Sequence, residues 1–241
     1  MISKKILVWI LVFILLVSLV LADKVKVYDK ENDREIVEDD FVIKLPDINK
    51  QVSTQTAMAK VPIISGKKKV EVGFSEAGDI FNLNEEQVIP WGIDRVNAPS
   101  SWNKAKGEKI KVAILDSGID YNHPDLNVAG GISFVDNDYI DYVGHGTAVA
   151  GVIAADDNNL GVIGVAPEVE LYAVKVMNEN GGTLSDVLKG IDWAIENKMD
   201  VISMSFGTPI YSQALEYKLS EAYDAGIVLV ASAGNNNEEV W

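Results

Sequence analysis

The sequence predicts an α/β domain, a three-layer arrangement in which helices flank a parallel β-sheet, preceded by a signal segment and a charged pro-region. Three observations carry this. Apolar runs of strand length alternate with segments of helical length between residues 109 and 232. Hydrophobic residues make up 48% of the 241 positions, enough to fill a sizeable core. The first residues have the three-part build of an export signal.

In residues 1–22, MISKKILVWILVFILLVSLVLA, Lys4 and Lys5 form the basic head and the apolar run covers Ile6 to Val17. Val20 and Ala22 hold the small-residue positions that precede a signal-peptide cut. The stretch Ile6–Ala22 also reaches the lower length limit for crossing a bilayer, so an uncleaved anchor is the alternative. On either reading the rest of the chain leaves the cytoplasm, to be secreted or held on the outer face of the membrane. Residues 23–86 are charged and weakly patterned, with EDD at 38–40 and KKK at 67–69. FVIKL (41–45) and KVEVGF (69–74) are the strand candidates, and the segment reads as a pro-region or linker, with a small independent domain as the alternative.

Residues 87–241 have a different character. KIKVAIL (109–115) is a buried-strand run ended by the turn DSGIDYNHPDL, and GGISFV (130–135) is a second strand. TAVAGVIAA (147–155) has helical length and small residues throughout. VELYAVKV (169–176) is a strand followed by a helix near Leu184–Asn197; VISMSF (201–206) is a strand followed by a helix over Ser212–Ala225. IVLVAS (227–232) is the last strand. Continuous apolar runs alternating with amphipathic helices imply parallel βαβ units covered on both faces. In such sheets chemistry collects beyond the carboxyl ends of the strands, which points to Asp116, the loop after Phe206, and Asn235.

Composition removes several function classes. Acidic residues outnumber basic ones 36 to 21, for a net charge of −15, which argues against nucleic acid or an anionic membrane surface as partner. Without cysteine there is no disulfide framework, zinc thiolate site or thiol nucleophile. With two histidines there is no histidine-rich metal centre. An exported chain without disulfides needs another staple, and a bound metal is one candidate.

His145 stands between Gly144 and Gly146 at the head of the small-residue helix, and Asp116 ends a buried strand run. Alone, each has an ordinary reading as a turn or cap residue. Together they make a general acid–base pair, because a buried carboxylate fixes the imidazole tautomer and stabilises the imidazolium against the positive end of a helix dipole. Glycines beside the ring let other segments approach closely. His123, in NHPDL, reads as a turn residue.

VAILDSGIDYNHPDL (112–126), GHGTAVAG (144–151), VISMSFG (201–207) and ASAGN (231–235) together resemble the successive signature blocks of the subtilisin-like serine proteases, from about Gln87 to Asn235. The resemblance implies a subtilisin-like fold and an Asp-His-Ser triad. It makes Asp116 the residue that orients the imidazole, His145 the general base and then acid, and Asn235 the side-chain donor to the oxyanion. It assigns Ser205, Phe206 and Gly207 to one wall of the substrate pocket and Ala233 and Gly234 to the other, with Gly181 and Gly182 pairing with an extended polypeptide substrate. It also implies a structural Ca²⁺ site on the loop DDNNLGV (156–162). Its oxygens would come from the carboxylate of Asp125, the side chains of Asn158 and Gln87, and the carbonyls of Asp156, Leu160 and Val162.

One block of that pattern does not occur. The nucleophile of the family lies in a Gly-Thr-Ser-Met-Ala segment downstream of the oxyanion asparagine, whereas Gly207-Thr208 is followed by Pro209. Ser117, Ser205 and Ser232 sit inside other blocks. Residues 87–241 are therefore expected to be the front part of a peptidase domain truncated before its serine, a precursor fragment that does not hydrolyse peptides by itself. The alternative is an inactive relative that binds peptides or inhibits. A monomer with polypeptide substrates and no nucleic-acid partner is expected.

Overall fold

The computed structural model describes residues 24–45, 61–65, 68–72 and 87–234. The signal segment 1–22 and Asn235 lie outside the described residues.

The charged leader begins with β1 (Lys24–Asp29) and β2 (Arg34–Asp39), paired antiparallel, followed by the short β3 (Val42–Ile43). This corrects the weakly patterned reading of residues 23–86. KVKVYD alternates strictly, and Val25, Val27 and Asp29 are buried while Lys24, Lys26 and Tyr28 are exposed. Of the two strand candidates there, FVIKL contributes only Val42–Ile43, and KVEVGF overlaps β5 (Lys68–Val72), which pairs antiparallel with β4 (Val61–Ser65).

The expected βαβ domain follows a short helix α1 (Trp91–Arg95). β6 (Lys111–Asp116) and β7 (Val128–Ser133) precede helix α2 (His145–Ala154), then β8 (Glu170–Lys175) and the two-residue β9 (Gly182–Thr183). Helix α3 (Leu184–Glu196), β10 (Val201–Met204), helix α4 (Gln213–Asp224) and β11 (Val228–Ala231) complete it. Five strands form one parallel sheet in the order β11-β10-β6-β8-β7. From β6 the chain goes to the edge strand β7, returns inward to β8, and then crosses to β10 and β11, so it changes sides at β6, the place where doubly wound sheets open a crevice.

Both sheet faces are packed. Val112 and Ile114 of β6 point to α2, against Ala150 and Ala154, while Ala113 and Leu115 point to the layer containing Val187, Ile191 and Ala222 of α3 and α4. Strand alternation then puts Asp116 on the α2 face, in line with Val112 and Ile114. In α2 the buried positions are Gly146, Ala150 and Ala154, an i, i+4, i+8 stripe narrow enough to lie close on the sheet. β11 is an edge, with Val228 58% and Val230 50% exposed.

The leader hairpin packs Val25, Val27 and Ile36 on Leu184, Leu188 and Ala214. It also supplies acceptors to the starts of two helices. Glu38 accepts from the Ser212 hydroxyl at 2.6 Å and from the amides of Gln213 (2.7 Å) and Ala214 (3.1 Å). Asp40 accepts from the Ser185 amide at 3.0 Å and hydroxyl at 2.6 Å. Helix N-termini present unpaired N–H groups and positive potential, so carboxylates there are favoured twice over. Replacing Glu38→Ala is expected to loosen the docked hairpin by about 1.5–3 kcal/mol, the range for hydrogen bonds to a charged group. Hydrogen exchange of the β1 and β2 amides measures it, with faster exchange in the variant and little change in β6 and β8.

Candidate active site

Asp116 closes β6 at its carboxyl end and is fully buried. One carboxylate oxygen, Oδ1, accepts from the Ser117 amide at 2.7 Å and lies 2.8 Å from Nδ1 of His145. The other, Oδ2, is buried with no hydrogen-bond partner among the described residues. A desolvated carboxylate with one satisfied oxygen seeks positive charge, and the imidazole is what faces it.

The two glycines around His145 do different jobs. Gly144 precedes α2 with φ +91°, a left-handed conformation that L residues rarely adopt. Gly146 has ordinary helical geometry but no room: a Cβ there would meet the Gly118 carbonyl oxygen at 2.1 Å and the Asp116 Cβ at 3.2 Å. The absence of a side chain is what lets the head of α2 come down onto the end of β6. The helix starts at His145, two residues ahead of the TAVAGVIAA run, because side chains outside it hold its first turn. Gly146 donates its amide to the Ser117 hydroxyl at 3.0 Å, and Thr147 donates its amide to Asp141 at 2.9 Å.

His145 titrates above its ordinary value of 6.5, chiefly because of the hydrogen bond to Asp116. Partial burial opposes the rise, while the negative charges of Asp116 and Asp141 support it. A His whose native value is raised adds stability fully present below 6.5, lost as pH climbs through the higher native value. An imidazole held by Nδ1 and partly exposed, at 15% of its side-chain surface, keeps Nε2 for exchanging a proton with a second group.

The remaining expected site residues separate into groups. Gly181 and Gly182 line an edge already taken by the leader: Val42 and Ile43 pair antiparallel with Thr183 and Gly182, and the Leu184 amide donates to the Phe41 carbonyl at 2.9 Å. Ser205, Phe206 and Gly207 continue from β10 next to residues 232–234, since the Ser232 amide donates to the Met204 carbonyl at 3.1 Å and its hydroxyl to the Phe206 carbonyl at 3.2 Å. The Phe206 side chain is buried in the core. Ala233 and Gly234 are exposed. His123 is a turn residue, its Nδ1 accepting from the Asp125 amide at 3.2 Å.

Part of the calcium candidate set lies together. Gln87 donates its side-chain amide to the carbonyls of both Asp156 and Val162, and its Oε1 accepts weakly from the Asn159 amide. Asp125 is buried beside them, Oδ2 taking the Val162 amide at 3.0 Å and Oδ1 having no partner among the described residues. Asn158 Oδ1 accepts from the Leu160 amide at 2.8 Å inside the same loop. Burial pushes the carboxyls of Asp125 and Asp156 up, and the charge of Asp125 adds to the rise at Asp156. Among the described residues no three His, Cys, Asp or Glu side chains cluster, so carbonyl and amide oxygens make up most of this set. An orphaned buried carboxylate oxygen next to converging carbonyls fits a hard cation.

Sequence reasoning passed over Asp141, Thr147 and Lys175. Asp141 was legible as Asp-x-x-Gly before a helix, a side chain that hydrogen-bonds the backbone two and three residues on. Lys175 was not legible, since a lysine inside an apolar strand reads as an edge residue. Here it is buried, bound to Asp136 at 2.7 Å and the Ile140 carbonyl at 2.8 Å, under the ring of Tyr142.

The electrostatic coupling has a measurable consequence. The stability difference between the unsubstituted chain and Asp116→Asn, read from urea unfolding, is expected to be most favourable to Asp116 just below pH 6.5. It should decline as pH rises through the native His145 titration.

Comparison with known proteins agrees with this geometry. The sequence model of the Subtilase family matches residues 107–240, more than half of the chain. Subtilisin E of Bacillus subtilis (strain 168) is 48% identical over 174 residues, 70% of this chain and 45% of that protein. Subtilisin of Bacillus pumilus is 51% identical over 154 residues, 62% of this chain and 56% of that protein. The thermostable alkaline protease of Halalkalibacterium halodurans is 48% identical over 157 residues, 64% of this chain and 43% of that protein. The chain thus spans about half the length of these relatives. With the family's sequence pattern over residues 107–240 and a parallel α/β sheet carrying the Asp116–His145 pair, the chain belongs to the subtilase family.

Proposed function

We propose that this chain is the front part of an exported serine endopeptidase, supplying the aspartate and histidine of its triad. The observation that carries the reading is the 2.8 Å contact between a fully buried Asp116 and Nδ1 of His145 at the carboxyl end of the central strand. Asp116 orients the ring and stabilises its cation. His145 Nε2 takes the proton from a serine hydroxyl as that oxygen attacks the scissile carbonyl, then delivers it to the leaving amine. The serine belongs to sequence that follows these residues in the complete protein. Asn235 donates to the oxyanion, where charge develops only in the transition state.

Residues 1–22 serve as the export signal and residues 23–86 as a pro-region. The second assignment is supported by the docking of residues 24–45: Val42–Ile43 runs antiparallel along Gly182–Thr183, the arrangement an extended polypeptide substrate would take there. Substrate backbone would lie between that edge and the wall formed by Ser205, Phe206, Gly207, Ala233 and Gly234. Among the described residues no helix is long and apolar enough to cross a membrane. With residues 1–22 as an export signal, the activity is read as extracellular, on polypeptides, by a monomer.

Ca²⁺ is the structural ion of this reading, held by Asp125, Gln87, Asn158 and the carbonyls of Asp156, Leu160 and Val162. When bound it contributes charge balance for a buried carboxylate and joins the segment at Gln87 to the 156–162 loop. The ion takes no part in the proton transfers, which run through His145 Nε2.

Serine labelling, mutation and chelation test the proposal. A fluorophosphonate probe should label one serine of the complete protein, and His145→Ala should lower kcat by about 10⁶-fold, the loss when the histidine of such a triad is removed. No labelled serine in a folded, complete protein would sink it. Chelation of Ca²⁺ should lower the melting temperature, equivalent to about 2.7 kcal/mol for a site held at a hundredfold excess over Kd. The Asp125→Ala chain should be indifferent to the chelator.

A further inference from the structure

Asp141 takes part in none of the proton transfers above, yet its carboxylate is the most heavily used acceptor near them. Oδ1 accepts from the Ser117 hydroxyl and from the amides of Val143 and Gly144, each at 2.9 Å. Oδ2 accepts from the Thr147 amide at 2.9 Å and the Thr147 hydroxyl at 2.7 Å. A surface carboxylate that only solvates itself does not gather five donors from three stretches of chain. These three stretches are the end of β6, the loop before α2, and the first turn of α2.

Ser117 connects this clasp to the acid–base pair. Its amide donates to Asp116 Oδ1, the oxygen nearest the imidazole. Its hydroxyl donates to Asp141 and accepts from the Gly146 amide. The residues on both sides of His145, Gly144 and Gly146, are thereby tied to the strand end that carries Asp116. The other end of the loop is fixed by the buried ammonium of Lys175, cross-strand neighbour of Asp116, through Asp136 and the Ile140 carbonyl.

We infer that Asp141 is a positioning residue for His145: its carboxylate, through Ser117 and Thr147, sets where the imidazole stands relative to Asp116 and adds negative charge at the head of α2. The inference rests on the reading of His145 as the proton-transfer residue. A second carboxylate here has a physical task. The positive end of the helix dipole and the loss of solvent both disfavour an imidazolium at the first helical position, and one carboxylate at 2.8 Å faces only one side of it. Asp141 neutralises the N–H cluster that generates the opposing potential. The charges that act on the ring are Asp116 on β6 and Asp141 before α2; Asp120 meets α2 through its backbone amide, which donates to the Thr147 hydroxyl, and the Lys175–Asp136 ion pair holds the far end of the loop.

The chain's two histidines give a clean spectroscopic test. In the ¹⁵N-labelled full chain, Asp141→Asn should move the His145 imidazole titration to lower pH while His123 titrates as before. The Thr147 amide should exchange about tenfold faster, the effect of one lost hydrogen bond. A folded Asp141→Asn chain with faster Thr147 exchange and an unmoved His145 titration would reduce Asp141 to a helix cap and overturn the inference. Should that variant not fold, Ser117→Ala keeps both carboxylates and cuts the link between them. It should broaden or shift the His145 Nδ1 proton resonance and speed Gly146 exchange, and an unchanged resonance would overturn the inference equally. These readouts need no peptide hydrolysis, so they stand apart from the serine labelling that decides the protease reading.

Discussion

Asp116 and His145, 29 residues apart in sequence, meet because a strand end and a helix start are pressed to van der Waals limits at Gly146. The stripe Gly146–Ala150–Ala154 keeps α2 low on the sheet, and Val112 and Ile114 lie under it. Alternation along β6 then delivers Asp116 to the same face as those two residues. The pair is therefore a product of core packing: any bulk added along the helix stripe would lift the imidazole off the carboxylate before touching either group. Burial raises the stakes, since a desolvated carboxylate without its partner is an uncompensated charge.

The surroundings extend that constraint in shells of decreasing burial. Ser117 shares its amide and hydroxyl between two carboxylates, Asp141 organises the first turn of α2, and Lys175 anchors the loop from the neighbouring strand. Each of these groups is a charge or dipole whose hydrogen bonds are met by chain segments distant in sequence. Such networks rigidify a site because half-formed versions leave buried polar atoms unsatisfied. The converse holds at the 156–162 loop. There Asp125 keeps a buried oxygen without a partner among the described residues, and burial pushes its carboxyl titration up.

The leader contributes to the same architecture from outside. Its apolar side chains cover Leu184, Leu188 and Ala214, and its acidic side chains complete the N-termini of α3 and α4. In a chain with a net charge of −15, carboxylates placed against helix dipoles have a favourable electrostatic role in holding the fold. The strand Val42–Ile43 follows directly from those contacts, so docking of the hairpin and coverage of the Gly182–Thr183 edge are one event.

Much of this could be read from the sequence. Strong hydrophobic periodicity marked all five strands of the parallel sheet and the three longer helices within a few residues, because continuous apolar runs and amphipathic helices are local signals. The signature blocks around Asp116 and His145 named the pair before any coordinates did. The hairpin was missed although KVKVYD alternates strictly, because basic and acidic residues dominate the composition of both its strands. What the sequence by itself determined was the order of elements and the pairing of Asp116 with His145. The tertiary structure alone decided that Gly146 is required for approach and Gly144 for its dihedral angle, that Lys175 is buried, and that Glu38 and Asp40 cap distant helices. It alone brought Asp141 and Asp116 to one serine. Those facts depend on which surfaces meet across the sheet, and contact between segments far apart in sequence leaves no periodic trace in either segment.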